Sequence, residues 1–282
     1  MLSSLSTLAA ISAKSLSPYT PYVNASFATG LGNMAAPLVG GIMGFDGLGN
    51  MYFPSSTGVL KISMATGAII STLTGTSTCN SCYVYNGILY YSTNTNKIMT
   101  YNLTTNAVNT AWASLPSFGL GMVSDGTYLY VASTVAISSL YGIFKLNLSN
   151  GSNTVGTSPY FWCTSGEAHY CLALQGGDLY SLAFGKLYKI ILTTAAGTSL
   201  VGTQLLSGFY YGMGISNNYI YTSAATGSSN VSQYDLSGTL ITSNFAGSAV
   251  ISNGYMGTCY NGYYYVCNGT TACSIVKVRC KY

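Results

Sequence analysis

The hydrophobic and polar positions along the chain repeat as a unit of four short strands. Each unit opens with a strand of small and apolar residues, and after a tight turn it continues into a strand with a tyrosine in one register. A third strand carries an apolar residue at a matching position, and a second turn leads into a fourth strand. Strand-rich residues without a sustained helical period predict β-structure for residues 22–282.

Six copies of this unit follow one another at intervals of about 40 to 50 residues, a spacing typical of propeller blades. Their first turns are rich in Asp, Asn and Gly, which tolerate positive φ: Asp46-Gly47, Asn86-Gly87, Asp125-Gly126, Gly176-Gly177, Asn217-Asn218 and Asn261-Gly262. The tyrosines that share a register are Tyr52, Tyr90, Tyr130, Tyr180, Tyr221 and Tyr265. The matching third-strand residues are Ile62, Tyr101, Leu146, Ile190, Tyr234 and Val278.

The sixth copy stops after three strands, and residues 24–30 resemble the fourth strand of the fifth copy, residues 242–247. We therefore predict an all-β fold: a six-bladed β-propeller of four-stranded blades, closed by an N-terminal strand that completes the last blade. Residues 22–282 form this single domain. The predicted blades span approximately residues 38–76, 80–113, 119–157, 168–205, 210–247 and 253–282 plus 22–30.

The composition indicates an unusually uncharged surface. Charged residues make up 5% of the chain, the net charge is +4, and there are 26 tyrosines. Such a surface has little like-charge repulsion and favours association. Apart from Lys277, Arg279 and Lys281, the basic residues are scattered, so no nucleic-acid partner is expected.

No apolar run is long enough to predict a membrane span, and the start of the chain lacks the basic region of a signal peptide. We interpret residues 1–21 as an N-terminal arm that docks onto other protein subunits.

Residues 44–53, Gly-Phe-Asp-Gly-Leu-Gly-Asn-Met-Tyr-Phe, together with Val59-Leu60-Lys61-Ile62, resemble NHL-type repeats and their six-bladed propeller relatives. The lysine of this pattern recurs at Lys145, Lys189 and Lys277. The family includes protein-, RNA- and polysaccharide-binding modules as well as some hydrolases and lyases, so the resemblance implies a fold and leaves function open. A similarity to gluconolactonase-like members would imply a divalent metal held by carboxylates and amides at the channel mouth.

The acidic residues depart from that metal-binding pattern. Asp46, Asp125 and Asp178 fall in first turns and Asp235 borders a second turn, where Asp bonds the local backbone. The fifth acid, Glu167, lies two residues from the single histidine, His169, in a loop that enters the fourth blade. These two residues are candidates for an acid–base pair or a pH-sensitive contact, and a local hydrogen bond is the alternative. We assign no catalytic residue, metal or cofactor and do not expect an enzyme.

The eight cysteines are an even number concentrated in loops, which fits extracellular or virion-surface disulfides. The candidate pairs are Cys163 with Cys171 and Cys267 with Cys273. Cys79 and Cys82 have three alternatives: a disulfide, a redox pair or half of a zinc site. For Cys259 and Cys280, a disulfide and buried thiols both fit. Candidate glycosylation sites are Asn24, Asn102, Asn147, Asn150, Asn230 and Asn268.

These features favour a non-enzymatic structural or attachment module on the exterior of a large assembly, outside the cell or on a virion surface. A virion decoration or capsid-associated protein, a surface layer and a filament subunit all fit this description. The alternative is a secreted lectin-like or protein-binding propeller, with a glycan or a protein as its ligand. A hydrolase or lyase that uses Glu167 and His169 is the third hypothesis.

Overall fold

The computed structural model describes residues 21–34, 41–133, 141–155, 159–163, 168–183, 185–192, 202–208, 210–224, 231–246, 251, 254–269 and 271–281. The described residues form strands and turns without an α-helix, and their strands belong to six four-stranded antiparallel sheets. This confirms the predicted all-β, six-bladed propeller. The predicted arm, residues 1–21, lies outside the described residues except for Pro21.

Each sheet is one blade, and its first two strands form a hairpin beside the propeller axis. The innermost strands of blades 1 to 6 are β2 (Gly44–Phe45), β6 (Cys79–Tyr85), β10 (Gly119–Ser124), β14 (His169–Gln175), β18 (Tyr210–Ser216) and β22 (Gly254–Tyr260). The second strands are β3 (Asn50–Ser55), β7 (Ile88–Thr93), β11 (Tyr128–Ser133), β15 (Asp178–Ala183), β19 (Tyr219–Ala224) and β23 (Tyr263–Asn268).

The outer half of each blade follows in the same order. The third strands are β4 (Gly58–Ser63), β8 (Lys97–Asn102), β12 (Tyr141–Asn147), β16 (Lys186–Ile191), β20 (Val231–Asp235) and β24 (Ser274–Arg279). The outermost strands are β5 (Ile69–Thr72), β9 (Val108–Ser114), β13 (Phe161–Cys163), β17 (Gly202–Ser207), β21 (Leu240–Thr242) and β1 (Val23–Ala28). In blade 3 the outermost strand begins after residue 157, where the sequence pattern had ended the blade.

The core consists of apolar side chains packed between neighbouring blades. All six tyrosines of the second-strand register are buried, as are all six third-strand residues of the matching column. Between blades 2 and 3, for example, Tyr90 and Ile98 belong to the same cluster as Met122, Leu129 and Val131. The strand period of two therefore places one face of each sheet against the next blade.

The first strand of the described residues, β1, closes the ring. Strand β1 pairs antiparallel with β24, with Val23 opposite Val278 and Ala28 opposite Ile275. Phe27 is buried against Tyr265 in an edge-to-face contact at 5.7 Å between ring centroids. The pairing satisfies the edge of β24, which confirms that the N-terminal strand supplies the missing strand of blade 6.

Glycines of the second turns set how closely consecutive blades approach. A Cβ at Gly67, Gly151 or Gly238 would collide with a carbonyl oxygen of the preceding blade's outermost strand. For Gly67 that oxygen belongs to Phe27, so β1 occupies the same position relative to blade 1 as the other outermost strands do to their neighbours. The second turns therefore act as spacers between blades.

We expect Phe27→Ala to lower the free energy of unfolding by about 3 to 5 kcal/mol, because it removes a large buried ring from the closing strand. Ser26→Ala is the matched control, since Ser26 lies exposed on the same strand and its replacement should cost less than about 0.5 kcal/mol. Urea unfolding of both variants measures the difference. Equal stability of the two variants would show that this strand does not hold the ring closed.

Gly151→Ala and Gly177→Ala separate backbone strain from the spacing between blades. Both glycines have positive φ, but a Cβ at Gly177 would meet open space, whereas one at Gly151 would collide with the Trp112 carbonyl oxygen. Each replacement should lower the free energy of unfolding by about 1 to 2 kcal/mol, because alanine is strained at positive φ. Gly151→Ala should lower it by about 1 to 3 kcal/mol more, because the added methyl group overpacks the contact between blades. Thermal denaturation of the two variants tests this order, and a larger loss at Gly177 would contradict it.

Candidate functional site

An apolar well of about 300 Å³ lies on the propeller axis, with residues from all six blades in its wall. The half-buried side chains that line it come from the innermost strands just before their first turns. They include Phe45, Val84, Val123, Leu174, Ile215 and Tyr260. None of the described wall residues carries a charge, so the well suits an apolar group rather than an ion or a polar substrate.

The well is closed at its inner end. The Cys171 thiol of blade 4 lies 3.6 Å from the Gly41 carbonyl oxygen and 3.5 Å from that of Tyr211. Gly41 precedes β2 of blade 1, and blades 1 and 4 face each other across the axis of a six-bladed ring. The backbone at Gly41 is therefore within contact distance of the opposite blade, and among the described residues this contact blocks the axis on the side away from the first turns.

Uncharged side chains connect neighbouring first turns around the mouth of the well. The rings of Phe45 and Tyr260 stack at 4.4 Å with an interplanar angle of 3°. The other connections are Tyr85 Oη to the Gly126 carbonyl oxygen at 3.5 Å and Gln175 Nε2 to Asn218 Oδ1 at 2.9 Å. Leu48, in the first turn of blade 1, is 86% exposed. The mouth thus presents aromatic and aliphatic surface beside neutral polar groups.

The aspartates at the mouth hold their own turns together. Asp46 accepts hydrogen bonds from the backbone N–H groups of Leu48 and Asn50 and from the hydroxyl of Tyr52. Burial alone would raise the pKa of Asp46, but these hydrogen bonds and one from the Asn50 side chain outweigh it and lower the pKa. Both carboxylate oxygens are therefore engaged in local bonding.

The carboxylate of Asp125 repeats this arrangement in blade 3. It accepts from the N–H groups of Thr127 and Tyr128, and the Tyr130 hydroxyl donates to it at 2.9 Å. Among the described residues no three His, Cys, Asp or Glu side chains cluster as metal ligands. The acids at the mouth thus serve the turns, the role that the sequence pattern indicated.

The repeated lysines pair with the repeated tyrosines. Lys61, Lys145, Lys189 and Lys277 lie directly opposite Tyr52, Tyr130, Tyr180 and Tyr265 on the neighbouring strand. Lys145 Nζ lies 4.1 Å from the ring centroid of Tyr128 and 4.4 Å from that of Tyr160. In a chain with so few acids, aromatic rings take the place of carboxylates as partners for these cations.

Lys189 has a carboxylate partner as well, with its Nζ 2.8 Å from Asp178. Lys277 Nζ lies 4.9 Å from the ring of Phe27 on the closing strand and 4.3 Å from that of Tyr263. These contacts hold Lys145, Lys189 and Lys277 within their own blades and give them a structural role.

The two candidate catalytic residues differ in how the structure places them. Glu167 lies outside the described residues. His169, the first residue of β14, is fully buried, and its Nδ1 lies 2.6 Å from Ser181 Oγ. Its Nε2 is buried without a hydrogen-bond partner among the described residues, and burial lowers the pKa of His169 to about 4. The imidazole is therefore neutral and out of reach of a substrate in solution.

The Cys163–Cys171 disulfide remains a prediction from the sequence, and the order of the strands disfavours it. Cys163 ends β13, the outermost strand of blade 3, whereas Cys171 lies on β14, the innermost strand of blade 4. Three strand spacings of about 4.8 Å separate the inner and outer strands of a blade, more than the roughly 7 Å limit between disulfide-bonded Cα atoms. Cys171 is a buried thiol.

The remaining cysteines lie close to the partners that the sequence suggested, as thiols. Cys79 and Cys82 Sγ are 3.5 Å apart, and Cys259 and Cys280 Sγ are 3.9 Å apart. Cys267 and Cys273 donate to the same acceptor, the Gly269 carbonyl oxygen.

The candidate glycosylation sites have mixed surroundings. Asn150 is exposed, and four others are partly buried on strands: Asn24, Asn102, Asn147 and Asn268. Asn230 lies outside the described residues. None of these positions is tested as a glycosylation site by the structure.

The wall of the well was not assigned from the sequence. Its signal is present in the repeat, because the second residue before the first turn is apolar at Val84, Val123, Leu174 and Ile215. Phe45 and Tyr260 immediately precede their turns and extend the lining toward the mouth. Without the ring, such a column cannot be distinguished from ordinary core positions.

The pH dependence of stability tests the environment of His169. Its folded-state pKa of about 4 lies below the ordinary value of 6.5, so the unfolded chain binds the proton first as the pH falls. The free energy of unfolding should be fully retained above about pH 6.5 and should decline by about 3 kcal/mol as the pH falls to about 4.

Because the chain has a single histidine, His169→Gln should remove this decline, and denaturant unfolding between pH 7 and 4 measures it. Asp46 and Asp125, whose pKa values are lowered, add their own loss of stability only at lower pH. An unchanged decline in the variant would contradict the assignment.

No protein-family model and no curated protein matches the chain. Solved structures do match. The PQQ-bound aldose sugar dehydrogenase of Streptomyces coelicolor is 12% identical with a TM-score of 0.62, and the match covers 93% of this chain and 99% of that chain. A protein of unknown function from Bacteroides thetaiotaomicron is 11% identical with a TM-score of 0.63, covering 92% and 76%.

A chain of a nidogen/laminin complex is 11% identical with a TM-score of 0.60, covering 77% of this chain and 82% of that chain. At such low identity these similarities show the propeller fold alone.

The described residues contain no helix long and apolar enough to span a membrane.

Proposed function

We propose that the chain is a non-catalytic protein-binding module, which attaches to the exterior of a large extracellular or virion-surface assembly by receiving an apolar group of a partner in its axial well. The observation that carries this proposal is the well itself, closed at one end and uncharged over its described wall. Apolar anchors seated in such pockets dominate the energetics of protein interfaces. A decoration protein, a surface-layer protein and a filament subunit are the assemblies that fit.

The outer rim of the propeller supports the assembly part of the proposal. Ile69 and Ile70 on β5 are 42% and 53% exposed, and Leu240 and Ile241 on β21 are 51% and 47% exposed. These are outermost strands, and neither contains a charged residue of the kind that commonly protects a sheet edge. The rim thus offers apolar surface for neighbouring subunits.

Two further elements belong to the same proposal. The similar propeller from the nidogen/laminin complex is an example of this fold in a protein–protein complex, and protein partners are what we propose here. The assignment of the blades to the NHL type rests on the turn and lysine pattern of residues 44–62. Docking through residues 1–21 remains a prediction from the sequence.

A glycan is the second candidate ligand, and the stacked Phe45 and Tyr260 rings favour it. Two half-buried aromatic side chains beside neutral hydrogen-bonding groups can pack against the apolar face of a sugar ring. A glycan array separates the candidates. Binding that Phe45→Ala abolishes would identify a lectin-like propeller, and an array without hits would leave the protein partner.

We expect the protein from its native source to co-sediment with a large particle at a fixed stoichiometry in quantitative mass spectrometry of the fractions. Sedimentation as a species of 29.5 kDa in every fraction would overturn the attachment role.

The well is then tested with Val123→Lys, which places a charge in its wall. Burying that charge against an apolar partner should reduce the co-sedimenting fraction about tenfold or more, equivalent to at least about 1.4 kcal/mol. Ser149→Lys is the matched control, because Ser149 lies exposed in a second turn, and it should bind as the unmodified protein does. Circular dichroism melts establish that both variants fold. Equal binding by the two variants would exclude the well as the contact.

A further inference from the structure

Four of the cysteines lie in blade 6, the blade that the ring needs for closure. Cys259 is on its innermost strand β22 and Cys267 on its second strand β23, while Cys273 and Cys280 flank the third strand β24 on either side. Strand β24 is the one to which the closing strand β1 pairs. The cysteines thus surround the strand on which closure depends.

The first pair brings the C-terminal end of the chain back to the innermost strand. The Cys280 N–H donates to the Gly262 carbonyl oxygen at 2.8 Å, in the turn between β22 and β23. This contact places Cys280 Sγ 3.9 Å from Cys259 Sγ. The next residue is held as well, since the Lys281 N–H donates to Tyr221 Oη of blade 5 at 2.9 Å.

The second pair spans the turn that connects β23 to β24. Cys267 Sγ and Cys273 Sγ lie 3.5 Å and 3.3 Å from the Gly269 carbonyl oxygen. Both cysteines are buried in the cluster that also holds Phe27 and Ala28 of β1. The pair therefore belongs to the part of the core that packs against the closing strand β1.

We propose that blade 6 carries two disulfides, Cys259–Cys280 and Cys267–Cys273, which covalently fix β24 to the two inner strands of its sheet. The two sulfurs of a disulfide are about 2.05 Å apart. The Cys259 and Cys280 sulfurs, now 3.9 Å apart, must therefore approach each other by about 1.9 Å. Both bonds join different segments of the blade. The Cys79 and Cys82 thiols, by contrast, lie on a single strand and would fix no strand to another.

The chemistry requires an external disulfide, either oxidised glutathione or the active-site disulfide of a thiol oxidoreductase. The thiolate of one cysteine attacks a sulfur of the oxidant, and one sulfur of the oxidant leaves as a thiolate. The second cysteine then attacks the mixed disulfide and releases the other sulfur. Each pair gives up two electrons and two protons, and the oxidant is reduced to two thiols.

The time at which the bonds form follows from the burial of the sulfurs. Cys267, Cys273 and Cys280 are buried in the folded protein, and Cys259 is partly buried. Burial also raises the pKa of Cys259 well above its ordinary value, so its thiolate is scarce once the blade has packed. Both bonds therefore form while the chain is folding, when an external oxidant still reaches the sulfurs.

The test is a disulfide map of the full chain exported through an oxidising compartment. The protein is denatured in iodoacetamide without reductant and digested with chymotrypsin and trypsin. Chymotrypsin cleaves after Tyr260 and Tyr265 and trypsin after Lys277 and Arg279, which puts Cys259 and Cys280 on separate peptides and leaves Cys267 and Cys273 together on one. We expect a Cys259 peptide linked to a Cys280 peptide, lighter by two hydrogens than the sum of the two thiol peptides. We also expect an unalkylated peptide of residues 266–277 that is lighter by two hydrogens than its dithiol form. Cys171, packed against backbone carbonyl oxygens, serves as the internal control and should be alkylated.

Alkylation of all four blade 6 cysteines in the unreduced protein, or linkage to other partners, would overturn the proposal. A second measurement does not depend on the map. A reductant should lower the Tm of the oxidised protein, and Cys259→Ser/Cys280→Ser should show a smaller drop than the unmodified chain. Equal drops would exclude a stabilising bond between these two residues. The map measures bonds between the cysteines of blade 6, and the sedimentation assay measures the binding of the Val123→Lys variant, so either proposal can fail alone.

Discussion

The pairing of β1 with β24 is the contact on which the rest of the propeller depends. Five blades are built from consecutive strands, each paired with the next one along the chain. The sixth combines strands from the two ends of the described chain, so its formation closes a loop that spans nearly the whole sequence. The entropy of closing such a loop grows slowly with its length, and the interfaces of blade 6 with both of its neighbours compensate for it. The axial well exists only once this ring is closed.

The charged side chains of this protein interact mainly with groups of their own blade. The tyrosine hydroxyls at Tyr52 and Tyr130 donate to turn aspartates, and the lysines opposite tyrosines lie over aromatic rings. A buried tyrosine with its hydroxyl bonded at the sheet edge supplies both apolar area and a polar end. This use of tyrosine allows a fold of this size to have 5% charged residues and leaves the surface with little electrostatic repulsion toward neighbours.

Much of the fold could be predicted because its determinants are local. Three features can be recognised from the sequence alone: the first-turn pairs such as Asp125-Gly126, the repeated tyrosine, and the missing fourth strand of the last copy. The features that the sequence could not show depend on radial position. Cys163 and Cys171 are close in sequence, but they lie on the outermost strand of one blade and the innermost strand of the next. The contact of Cys171 with Gly41 also arises only when opposite blades meet at the axis.

The closed inner end of the well affects the order of events in binding. A channel open at both ends lets a bound group leave on one side while a new one enters on the other. Here the contact between Cys171 and Gly41 blocks the inner end of the well among the described residues, so entry and exit compete for the same mouth. A partner seated over the first turns would cap whatever the well contains, and the lifetime of that inner occupant would be set by how often the outer partner departs.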